Sequence, residues 1–135
     1  MTIDVAFMLN AHIGLFYLLV VVTIVALLVT LRSVLRSAAG ALNRGVMLLY
    51  RIVFMLQWLV GLVLLIMQSA TSGWLTYRLE HALTMTVAVI LTHLFGGRRG
   101  SRPLTSLIVL LVASALVGYG YLRLIEGRAA LGAAA

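Results

Sequence analysis

Four runs of about twenty or more predominantly apolar residues, 8–31, 48–70, 74–95 and 104–123, follow one another with only short polar stretches between them. A run of about 20 apolar residues is what a helix needs to cross the hydrocarbon core of a bilayer. Only helices and closed barrels satisfy every backbone polar group in lipid. The runs lack the alternating apolar and polar pattern of barrel strands, so the sequence predicts helices. Pro103, the sole proline, sits where a first helical turn tolerates it best.

Composition agrees with lipid as the solvent. Hydrophobic residues make up 64% and charged residues 10% of the chain, against about 45–50% and 25% in a soluble domain. At 135 residues there is room for one transmembrane domain and for no soluble catalytic domain beside it. Residues 129–135 form a low-complexity, alanine-rich tail expected to fray. Residues 1–11 carry Asp4 and no basic residue, unlike the n-region of a cleavable signal peptide.

The formal net charge is +7, all of the cations being arginine. No aromatic-basic nucleic-acid motif accompanies them, and no nucleic-acid partner is expected. The arginines instead sort by connection. Arg32, Arg36 and Arg44 fall between the first two runs, and Arg98, Arg99 and Arg102 between the last two. The opposite side holds Arg78, Arg123 and Arg128, partly offset by Asp4, Glu80 and Glu126. The positive-inside rule then places both Arg-rich turns in the cytoplasm and both termini outside. The expected fold is all-α: a polytopic, up-down-up-down bundle of four transmembrane helices in the bacterial inner membrane. Trp74, Tyr77, Tyr119 and Tyr121 fall at its outer boundary, where aromatic belts occur.

Ionisable groups within spans are costly and mark candidate sites. His12 lies 20 residues before Arg32 and His81 lies 17 before Arg98, which puts them about 30 and 25 Å from the cytoplasmic boundary at 1.5 Å per residue. They share a depth and belong to helices expected to be diagonal. Such a pair suits the two axial positions of a noncovalent haem b iron. His12, Phe16, Leu19 and Thr23 form one stripe; His81, Thr84, Met85, Ala88 and Thr92 form the other. The competing reading is two histidines that hydrogen-bond within the bundle or meet water at its outer end. Proton, quinone or pigment binding is a further alternative. His93, about 18 Å along the helix from His81, is expected at the cytoplasmic interface. Arg51 is expected to snorkel to that surface or to hold a lipid or quinone headgroup. Gln57 is placed to hydrogen-bond between helices. Ser114 and Gly118 form a small-xxx-small pair for close packing or a subunit interface, and Gly61 offers a similar approach.

The segment from Arg51 to Gly61 (RIVFMLQWLVG) resembles the second helix of small four-span bacterial membrane proteins of the YisL and SirB type. Arg51, Phe54 and Gly61 match that family's Arg, aromatic and Gly, and His12 matches its early histidine. Arg98 and Arg99 match the basic cluster after its third helix. Where YisL-like proteins carry a His four residues before the Arg, this chain has Met47. The resemblance covers about residues 10–100 and implies a four-span fold with no assigned activity.

No P-loop, HExxH, Ser-His-Asp set or carboxylate pair is present, and Cys is absent. The first functional expectation is a non-catalytic accessory subunit of a larger membrane electron-transfer complex, with other membrane subunits or further copies of itself as partners. The alternative is a haem b electron carrier ligated by His12 and His81. A small transporter or channel is third.

Overall fold

The computed structural model describes residues 4–36, 40–96 and 102–133. They form four helices: α1 (Val5–Leu35), α2 (Ala41–Ser72), α3 (Thr76–Phe95) and α4 (Pro103–Ala133). Each boundary has a local cause. Asp4 has extended backbone and accepts a hydrogen bond from the Ala6 amide at 3.3 Å, capping α1. Gly73 ends α2 at φ +75°, a region unfavourable to residues with a Cβ, while its amide donates to the Ser69 carbonyl. Pro103 opens α4, where its missing N–H costs nothing.

Consecutive helices run antiparallel. Thr30, late in α1, donates to Asn43, early in α2 (2.8 Å), whereas His12, early in α1, meets Gln57 farther along α2. Trp58 of α2 donates to Thr86 of α3, and Glu80 of α3 pairs with Arg123 of α4. α1 packs on α2 and α4, and α3 packs on the same two, so α1 and α3 face each other diagonally.

The core is narrow. Ala26, Ala88 and Ala113 are fully buried at the closest approaches, and Tyr50, Phe54, Met47 and Leu110 fill the space between them. The outer surface is apolar: on α1 alone Val21, Ile24 and Leu28 are all more than half exposed. A contiguous exposed patch of this kind is unusual for a soluble monomer and suits a lipid surround. Along α4, Ser106, Ala113, Gly120 and Gly127 recur every seven residues on the packed side. Small residues in such a seam let helix backbones approach closely.

Three helices are long and apolar enough to cross a membrane: α1, α2 and α4 over Pro103–Gly132. α3 does not reach the same apolarity, because Arg78, Glu80, two histidines and several threonines interrupt it. Several of its polar side chains turn back on their own helix. Thr86 donates to the Ala82 carbonyl, Thr92 to Ala88 and His93 to Val89, at 2.7–2.9 Å.

Arg32, Arg36, Arg44 and Arg102 share one end of the bundle by their positions at the helix ends. Arg98 and Arg99 lie outside the described residues. The expected Ser114–Gly118 packing pair is not the close contact of α4. Gly118 is exposed, with no atom near the position of a Cβ, and Gly120, two residues on, takes that role. The helical period explains the difference: a two-residue step turns the backbone about 200° around the axis.

Candidate functional site

Two glycines shape the site. At Gly61 on α2 the absent side chain lets the His12 ring lie against the helix; a Cβ there would sit 2.9 Å from His12 Cε1. At Gly120 on α4 the same device admits α3; a Cβ would sit 2.5 Å from Thr84 Oγ1, 2.9 Å from Met85 Cε and 3.3 Å from His81 Nδ1. Each histidine is therefore seated on a glycine of a neighbouring helix.

Their hydrogen bonds differ. His81 Nδ1 donates to the Gly120 carbonyl at 3.0 Å. A carbonyl only accepts, so Nδ1 carries the proton and, in the neutral ring, Nε2 keeps a lone pair. His12 Nε2 lies 3.2 Å from Gln57 Nε2, and His12 Nδ1 is buried without a partner among the described residues. Gln57 is itself 6% exposed, and its Oε1 also lacks a partner. In one orientation of the amide, Gln57 donates to His12 and leaves an acceptor unpaired. In the other it accepts from His12 Nε2–H and leaves an N–H unpaired.

Both histidines line one partly open cavity of about 320 Å³, bordered by residues of all four helices, at the end away from the Arg-bearing turns. Phe16, Trp58, Met85 and Tyr121 supply much of its apolar wall, and Gln57 lies beside them. Phe16 and Tyr121 stack at 5.6 Å between centroids, with 17° between planes. Trp58 is held by its Nε1–H, which donates to Thr86 Oγ1 at 2.9 Å. Arg78 and Arg128 also border the cavity. Arg78 is engaged by Ser72 Oγ at 2.7 Å and lies over the Tyr77 ring.

The structure thus brings His12 and His81 to one space and leaves His93 and Arg51 outside it. His93 is half-buried on the Val89 carbonyl. Arg51 is half-buried, with an Nε that has no partner among the described residues. The charges at the cavity end of the bundle form their own group: Arg123 bonds Glu80 at 3.0 Å and Glu126 at 2.8 Å, all well exposed. No group of three or more His, Asp or Glu side chains suited to a metal ion occurs among the described residues.

The fit of a haem to this space is uneven. His81 has the arrangement of an axial ligand, one nitrogen fixed on a carbonyl and the other carrying a lone pair. His12 does not: Gln57 occupies Nε2, and Nδ1 faces the Gly61 backbone. Two-sided ligation requires His12 to leave Gln57.

Gly120, Trp58 and Tyr121 are contributors that single-residue reasoning on ionisable groups passes over. The seven-residue recurrence of Ser106, Ala113, Gly120 and Gly127 is the pattern that points to Gly120. Comparison with known proteins adds no relative: no protein-family model, curated protein or solved structure matches the chain.

Proposed function

We propose that this chain is a four-span integral membrane protein of the bacterial cytoplasmic membrane, acting as a non-catalytic subunit of an electron-transfer assembly and holding a small ligand in its outer-end cavity. One observation carries the reading: imidazoles from two diagonal helices border a single apolar, aromatic-lined cavity that all four helices line. Cavities of about 300–1,000 Å³ with a few convergent polar groups are typical ligand sites.

The fourth span is α3. Its 20 residues reach about 30 Å, the thickness of the hydrocarbon core. The hydroxyls of Thr84, Thr86 and Thr92 are satisfied by its own carbonyls, which lowers the cost of placing them in lipid. The Arg-bearing turns then face the cytoplasm and both termini lie outside. The broad apolar exterior leaves room for lipid and for neighbouring subunits. Purification from native membranes in a mild detergent tests the subunit role. A larger membrane complex is expected to co-purify; a stable, monodisperse protein with no partner contradicts the reading.

Haem b between His12 and His81 is the second reading, favoured by the free Nε2 of His81. It predicts a Soret band that shifts on reduction, is lost in both His12→Ala and His81→Ala, and persists in His93→Ala. Protein without Soret absorbance after haem supplementation ends that reading.

A further inference from the structure

We infer that the outer-end cavity takes the headgroup of a lipid-soluble quinol, an aromatic ring bearing hydroxyl groups, in preference to the corresponding quinone. The inference rests on the ligand-holding role proposed above and names the ligand.

Size sets the first limit. An apolar cavity of about 150 Å³ admits benzene, so the 320 Å³ here accommodates one substituted ring. Wall chemistry sets the second. Phe16, Trp58 and Tyr121 offer flat faces for a ring to pack on. An aliphatic chain fills the same volume, but it leaves the polar groups of the wall without partners.

Those polar groups set the third limit and choose the redox form. His81 Nε2 presents a lone pair, since Nδ1–H is committed to the Gly120 carbonyl. It wants a donor. Gln57 is buried with half of its amide unpaired, an acceptor or a donor according to its orientation. A quinol carries two hydroxyls: one donates to His81, and the other donates to or accepts from Gln57 according to the orientation of the amide. A quinone carbonyl only accepts; it gives the neutral His81 nothing and pairs with Gln57 in one amide orientation only. An acceptor that a bound ring shuts off from water without supplying a donor weakens binding by an amount equivalent to roughly tenfold in affinity.

The test uses full-length protein carrying Trp74→Phe, in phosphatidylcholine nanodiscs. Trp58 is then the only tryptophan, and it borders the cavity. A decyl-tailed benzoquinol, titrated anaerobically, is expected to quench Trp58 saturably and to bind about tenfold more tightly than the matching quinone. Gln57→Leu and His81→Asn are each expected to weaken quinol binding about tenfold or more. Asn at 81 keeps a donor at the position of Nδ1 for the Gly120 carbonyl and removes the Nε2 acceptor, so it separates ligand binding from folding. Equal or tighter binding of the quinone overturns the inference. Quenching unchanged in both variants also overturns it, because the signal then reports partition into the bilayer. If haemin or decanol perturbs Trp58 saturably while the quinol does not, the quinol assignment fails and the ligand-holding role stands. If no probe saturates, both fail.

Discussion

The Nδ1 of His81 donates to the backbone carbonyl of Gly120 at 3.0 Å, at a position whose missing side chain lets α3 pack closely on α4. That bond joins α3 to α4 and fixes the tautomer of the imidazole, whose other nitrogen keeps a lone pair in the neutral ring.

Gly120→Ala tests this seat. Its Cβ would lie 2.5 Å from Thr84 Oγ1, 2.9 Å from Met85 Cε and 3.3 Å from His81 Nδ1. The helices must part or these side chains must move, at a cost of about 1–3 kcal/mol. Gly118→Ala meets nothing within 4 Å and is expected to be neutral or slightly stabilising, since Ala favours a helix over Gly by up to about 1 kcal/mol. Thermal unfolding of the two variants in the same detergent reads the difference.

Thr86→Val removes the acceptor of the Trp58 indole N–H. Shape is nearly preserved, but a half-buried donor loses its partner, which costs about 1–3 kcal/mol. Loss of stability together with an altered Trp58 emission spectrum is expected. An unchanged spectrum would show that the indole is not anchored there.

Gln57→Leu replaces an amide that is half unpaired in the unliganded protein. The loss of its contact with His12 and the removal of an unpaired buried group offset one another, so stability is expected to stay within about 1 kcal/mol of the parent. A much larger loss in denaturant unfolding would make the His12–Gln57 contact a principal tie between α1 and α2.

Arg123→Ala removes both ion pairs of the outer end, with Glu80 and Glu126. Arg123 and Glu80 are more than a third exposed and Glu126 is more exposed still, so screening by water keeps the expected cost small. Unfolding measured at low and high salt checks it; the small difference from the parent should shrink further as salt rises.

The helical fold is legible in the chain because lipid leaves few alternatives to a long apolar run. The diagonal relation of α1 and α3 follows from short connections, and with it the meeting of His12 and His81 at one cavity. Two features were harder to read. The apolar runs mark the stretch that suits hydrocarbon, whereas the hydrogen-bonded helices α1 and α4 continue past them to Leu35 and Ala133. On α4, nearly every residue is apolar or small, so the buried face carries no polarity contrast, and Ser114–Gly118 is as plausible by composition as the true seam. Packing decides it: the seven-residue series through Ala113 and Gly120 faces the bundle and Gly118 does not. Gln57 was legible as an interhelical hydrogen-bonding residue, but its partner was not, because contact with His12 depends on the ring's fit over Gly61.

The account depends most on α3 crossing the membrane, since a surface-lying α3 would not close the cavity on His81. The chain lacks cysteine, so single-cysteine labelling from either side of the membrane is free of background. Cysteines introduced at Leu75 and Gly96, which flank α3, are predicted to label from opposite sides, position 96 with Arg36→Cys and position 75 with Ala129→Cys. Labelling of positions 75 and 96 from the same side would contradict it.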